Sequence, residues 1–141
     1  MAFNKKPVTG MRDILPADME VLSALHHFMT ETYSLYGFTE IETPIVEHIG
    51  NLTSKQGGEN EKLIFKVLKR GEKLKAALEK LSGSDEEGSE SLTEEGLRYD
   101  LTLPLTRYYS ANAGSLPQPF KALQMGPVFR ADRPQRGRFR Q

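Results

Sequence analysis

The strongest constraint on this chain is the stretch from Phe120 to Gln141, FKALQMGPVFRADRPQRGRFRQ. Its apolar positions Phe120, Ala122, Met125 and Val128 lead to Arg130, and Arg133, Arg136, Arg138 and Arg140 follow, with Asp132 as the one acid among them. A strand ending in an arginine, a loop marked by Pro134 and Gly137, and a returning strand of alternating arginines together predict a β-hairpin. Each guanidinium holds its donors in a rigid plane that matches phosphate or carboxylate in two-point contact. A basic surface hairpin, or a frayed basic tail, fits the arginines equally well at this point, because charge runs commonly mark solvated faces.

The rest of the composition narrows the choices. The 141 residues suffice for one domain with a modest core. Formal net charge is zero, so any role with nucleic acid rests on local asymmetry rather than on the whole molecule. Residues 82–96 carry six acids and no base, against five arginines in the last twelve positions. Cysteine is absent, which removes disulfides, thiolate metal sites and cysteine nucleophiles. The start, MAFNKKPVTG, has no apolar signal core and no run approaches membrane-spanning length, so a cytoplasmic protein without a membrane partner is expected.

Along the chain, Pro16 and Asp18 suit a helix start, Met19, Leu22, Leu25, Met29 and Tyr33 keep the three-four spacing, and Gly37 is a natural stop. His26 and His27 are adjacent on that helix and point about 100° apart, so they do not form a metal-ligand pair, and no metal site is expected. Residues 38–49 read as a strand interrupted by Pro44, which confines it to an edge or an interface. A polar loop over 50–62, a strand over 63–68 and a helix over 71–81 follow, then an acidic Ser/Gly-rich tract with too little apolar surface to order itself. Residues 97–102, LRYDLT, predict a strand running into a turn, with a helix over 103–112 that Thr102 could cap. Strands linked by hairpins rather than crossovers favour an α+β domain with a mainly antiparallel sheet flanked by helices.

Several of these runs resemble one family. Gly37-Phe38, Ile41 and Pro44-Ile45-Val46 look like motif 1 of the class II aminoacyl-tRNA synthetases, and Phe129-Arg130-Ala131-Asp132 with Arg138-Phe139-Arg140-Gln141 looks like their motif 2. Gly10-x-Arg12-Asp13-x-Leu15-Pro16, LRYDLT at 97–102 and RPQRGRFRQ at 133–141 narrow the resemblance to the histidyl-tRNA synthetases. It implies the N-terminal portion of a catalytic domain over 1–141, with motif 1 about 37–47, a mobile acidic insertion about 70–96, and motif 2 about 120–141 cut short. It also implies a histidine–tRNA ligase: ATP activates histidine to histidyl-adenylate, and the histidyl group passes to tRNA(His). In that pattern Arg130 is the catalytic arginine between the α-phosphate and the histidine carboxylate. Asp100, Leu101 and Thr102 hold the histidine, Asp132 receives the adenine amino group where many members carry glutamate, and Arg138 reaches the outer phosphates. Mg2+ would accompany the ATP, and a homodimer would form through motif 1.

Each of these residues also has a plainer reading. Asp100 could be a turn or capping acid, Thr102 a cap, and Arg130 could pair with Asp132 two positions on. The piece ends inside motif 2, so this chain alone is expected not to charge tRNA. Two other functions remain open on sequence grounds: the regulatory subunit of ATP phosphoribosyltransferase, which resembles the same domain without charging tRNA, and a small RNA-binding module built on the arginines.

Overall fold

Pro16 opens the first helix, α1 (Pro16–Ser34), where its missing N–H costs nothing, and Asp18 lies in the first turn. The computed structural model describes residues 3–53, 59–82, 92–133, 135 and 139–141. Gly37 ends the helix in the left-handed region, at φ 78°. Its N–H donates to the Ser34 carbonyl at 3.0 Å and the Phe38 N–H to the Tyr33 carbonyl at 3.2 Å. That pair of bonds is the Schellman closure, and the apolar contact that accompanies it is the Tyr33–Phe38 edge-to-face pair at 5.2 Å. None of the α1 side chains is buried, and Val21, Leu25 and Phe28 are more than half exposed.

Pro44 does more than interrupt a strand. It lies between two short ones, β1 (Thr39–Ile41) and β2 (Val46–His48), that join different sheets. A one-turn helix α2 (Ile49–Leu52), a 3-10 turn over Glu59–Leu63 and strand β3 (Lys66–Leu68) come next. Helix α3 (Gly71–Ser82) buries Ala77, and the order closes with β4 (Thr93–Leu97), α4 (Thr102–Asn112) and β5 (Ala122–Gln124). The larger sheet is antiparallel in the order β2-β4-β3, with an irregular register between Val67 and Leu68. Beside it β1 and β5 pair in parallel, Thr39 opposite Ala122 and Ile41 opposite Gln124. Within β4, Gly96 lets α2 and the β3 approach close in: a Cβ there would lie 2.9 Å from Leu52 Cδ1 and 3.1 Å from the Phe65 carbonyl.

The α+β class stands, and three expectations need correction. The first arm of the anticipated hairpin is a strand of only three residues, and among the described residues its strand partner is β1. Among the described residues the arms meet through the Arg130 N–H, which donates to the Arg140 carbonyl at 2.9 Å, and through Arg140 Nε, which donates to the Asp132 carbonyl at 2.8 Å. The insertion expected over 70–96 begins with α3, the helix read over 71–81, but it ends in the central strand β4, where Thr93 and Gly96 pack inward against β3 and α2. Its acidic middle, residues 83–91, lies outside the described residues. The strand read over 97–102 sits earlier, at 93–97, and 98–101 form the turn into α4.

The interior mixes apolar and polar side chains. Ile64, Ala77, Leu123 and Pro104 are buried, and so are Thr43, Glu47, Thr93 and Arg98. Most buried polar groups need partners, and Thr93 Oγ1 is an exception that finds none among the described residues. The Glu47 carboxylate receives the Arg107 Nε–H at 2.9 and 2.8 Å, linking β2 to α4. Arg98 reaches two carbonyls, as described below.

Candidate active site

The turn between β4 and α4 carries the polar residues singled out in the sequence. Asp100 accepts on Oδ1 from the N–H groups of Thr102, at 3.0 Å, and Leu103, at 3.2 Å. Those are the bonds of a helix N-cap, and Leu101, at φ −101° and ψ −8°, is already in the helical region. The capping acid is therefore Asp100. Thr102 falls in the first turn, where its carbonyl accepts from the Thr106 hydroxyl at 2.9 Å. Pro104, fully buried, sits early enough in α4 to withhold no needed donor. The cap engages one carboxylate oxygen; Oδ2 of Asp100 makes no bond to another described residue. Asp100 and Thr102 face a cleft of about 610 Å³ between α4 and the α2 residues Gly50 and Asn51, with Arg107 in its wall.

Arg130 reaches the same turn from the other segment. Its guanidinium lies over the Tyr99 ring, 4.4 Å from the centroid, and Nε donates to the Tyr99 carbonyl at 3.3 Å. Beneath it the Phe129 N–H donates to the Arg98 carbonyl at 3.0 Å. Arg130 is thus docked on the residue that precedes Asp100, although it is not in the wall of the cleft. A guanidinium stacked on a ring keeps its terminal nitrogens available at the edge of the stack.

Asp132 is half-buried and bonded locally: Oδ1 accepts from the Arg133 N–H at 2.7 Å, and its carbonyl accepts from Arg140 Nε at 2.8 Å. Arg138 lies outside the described residues. The N-terminal run that entered the sequence argument as Gly10-x-Arg12 closes on this loop. The Gly10 carbonyl accepts from the Arg140 N–H at 2.7 Å, and Arg12 lies over the Phe139 ring at 4.6 Å.

Two arginines and an acid escaped the sequence reading. Arg98 was visible only as a letter in LRYDLT, and Glu47 and Arg107 only as charges in a strand and a helix. One signal was present: Glu47 directly follows the apolar pair Ile45-Val46 in a short strand, a position where inward and outward faces alternate.

The family model described as histidyl-tRNA synthetase matches residues 10–141. The histidine–tRNA ligase of Leifsonia xyli subsp. xyli is 44% identical over 100% of this chain and 32% of its own length. A crystal structure of histidyl-tRNA synthetase from Nostoc sp. PCC 7120 aligns at a TM-score of 0.71 and 28% identity, over 97% of this chain and 26% of that one. A structure titled as an ATP phosphoribosyltransferase regulatory subunit/histidyl-tRNA synthetase, from Bacillus halodurans, aligns at 0.65 and 23% identity, covering 93% of this chain and 29% of that one, and shares the fold. The chain spans about a third of the length of the curated relatives it matches.

Proposed function

The chain belongs to the histidyl-tRNA synthetase family, and from that membership we propose that it is the N-terminal portion of the catalytic domain of a histidine–tRNA ligase. The observation that carries this reading is Arg130 docked on Tyr99, one residue before Asp100. It supports a division of labour over a single amino acid. The Asp100 oxygen left over by the cap accepts from the α-ammonium of histidine, with Thr102 and the Leu101 backbone alongside. Arg130 takes the carboxylate and the α-phosphate of ATP with its terminal nitrogens, relieving the repulsion between two anions that must approach.

A carboxylate oxygen of histidine then attacks the α-phosphorus, the bond to the bridging oxygen breaks, and pyrophosphate leaves. In the second step a ribose hydroxyl at the 3′ end of tRNA(His) attacks the histidyl carbonyl, and AMP leaves. The protein's contribution is position and charge rather than covalent chemistry. Asp132 serves the adenine amino group and Arg138 the outer phosphates. Magnesium would accompany the ATP phosphates and offset their charge. Among the described residues no group of three His, Asp or Glu side chains could hold an ion by itself.

The exposed apolar side chains of α1 and the motif 1 region, about 37–47, fit a homodimer. Among the described residues no helix is long and apolar enough to cross a membrane, and a cytoplasmic setting agrees with the substrates.

Histidine-dependent exchange of labelled pyrophosphate into ATP, measured on a polypeptide that continues this chain to the length of its relatives, tests the reading. Exchange that needs histidine supports it. RNA binding without a histidine effect, or no exchange at all, would favour a regulator or an RNA-binding module. The 141-residue chain alone is expected to give no sustained aminoacylation, and turnover by it would overturn that part.

A further inference from the structure

Arg98 is 3% exposed, and its guanidinium meets neutral acceptors rather than a carboxylate. Nε donates to the Pro127 carbonyl at 2.8 Å. Nη1 donates to the Thr43 carbonyl at 2.8 Å and lies 3.3 Å from the Thr43 hydroxyl, which also accepts from Gln124 Nε2 at 2.6 Å. Its backbone repeats the same links: the N–H donates to the Ile45 carbonyl at 2.8 Å, and the carbonyl accepts from the Phe129 N–H at 3.0 Å. Every one of these partners belongs either to residues 43–45 or to 127–129, apart in sequence from each other and from Arg98. Gly126 completes the fit, since a Cβ there would lie 2.5 Å from Nη2.

Burying a charge among neutral acceptors is costly, and an apolar side chain would fill the volume with less desolvation. What an apolar side chain lacks is a rigid fork that fixes two separate carbonyls relative to one backbone. Two positions further along is Asp100, and Tyr99 between them is the platform for Arg130. Phe129, held by the Arg98 carbonyl, immediately precedes Arg130.

We infer that Arg98 is a positioning residue that sets the separation of Asp100 and Arg130 by locking the 98–100 turn to residues 43–45 on one side and 127–129 on the other. The functional consequence rests on the ligase reading; the geometry does not. Reacting groups must be held to a fraction of an ångström, so a loosened turn separates the ammonium holder from the carboxylate and phosphate holder without touching either ligand.

Arg98→Lys keeps the charge and removes the fork. The readout that needs no substrate is the Arg130 side-chain NMR signals, which the Tyr99 ring displaces upfield. In Arg98→Lys these signals move toward their unstacked values while the β2-β4-β3 amide pattern persists. Gly126→Ala is the second variant: it leaves Arg98 in place, pushes Nη2 aside, and gives the same displacement. In the polypeptide of full family length, both variants lower kcat for histidine-dependent pyrophosphate exchange about 100-fold per titrated active site, with KM for ATP nearly unchanged. Folded variants whose Arg130 signals stay where they are overturn the inference. Loss of the fold in both also overturns it, because Arg98 is then a stability residue only. Displaced Arg130 signals with no exchange even in the parent sink the ligase reading and leave the positioning role standing.

Discussion

Asp100 has two assignments, helix cap and ammonium holder, and one pair of substitutions separates them. Both capping bonds end on Oδ1, at 3.0 and 3.2 Å. Asp100→Asn retains a carbonyl oxygen that can accept both, and asparagine caps as well as aspartate. Its cost to stability is the lost charge at the start of α4, about 0.5 kcal/mol. Asp100→Ala removes the acceptor and costs about 1–2 kcal/mol. Histidine binding orders the variants differently. An ammonium–carboxylate hydrogen bond contributes about 1.5–3 kcal/mol, so both variants weaken histidine roughly 10- to 150-fold. Urea denaturation of the chain gives the first quantity, and calorimetric titration of histidine into the full-length polypeptide gives the second. The expected pattern is an asparagine variant with near-native stability and strongly impaired histidine binding. An asparagine variant that binds histidine normally would reduce Asp100 to a cap and refute the assignment.

Three further outcomes follow from other contacts. Arg107→Met strands the Glu47 carboxylate, 4% exposed, and costs about 3 kcal/mol in urea denaturation, the low end for a buried pair because Arg107 is itself partly exposed; the double variant with Glu47→Leu costs less than the two single costs added, and strict additivity would deny the coupling. Gly37→Ala strains a residue at φ 78° and lowers stability by about 1 kcal/mol, read as a drop in the urea midpoint with an unchanged slope. The Lys73 ammonium, 2.9 Å from Glu94, holds that carboxyl below its ordinary value through their hydrogen bond, and the same bond raises Lys73. Glu94's share of stability is thus present above the usual carboxylate range and lost as pH falls through its lowered midpoint, whereas Lys73's is present below the ordinary lysine value and lost as pH rises through its raised one. Carboxyl NMR titration checks this: the Glu94 midpoint should rise in Lys73→Ala and move toward its ordinary value in high salt.

The helices were legible because their signals are local. Pro16, Gly37 and the leucine spacing of 71–81 each act within a turn or two, and α1 and α3 begin and end within a residue or two of where those signals place them. The sheets were not legible in detail. Strands of three residues, such as β1, β3 and β5, are too short for alternation to register, and the parallel pairing of Thr39 with Ala122 joins segments that carry no mutual mark in the sequence. Motif spacing singled out Asp100 and Arg130, which the fold brings to one turn, yet the bonds that fasten them were hidden for a specific reason. Arg98 bonds the carbonyls of Thr43 and Pro127, Arg130 that of Tyr99, and Arg140 those of Asp132 and Thr9. A backbone carbonyl is the same at every residue, so side-chain identity cannot announce which one an arginine will find. Among the described residues few apolar side chains are buried, and such arginine-to-carbonyl bonds join distant segments around Asp100. They are directional where apolar packing is not, which is the property a site needs if two anionic groups are to be brought together at one fixed distance.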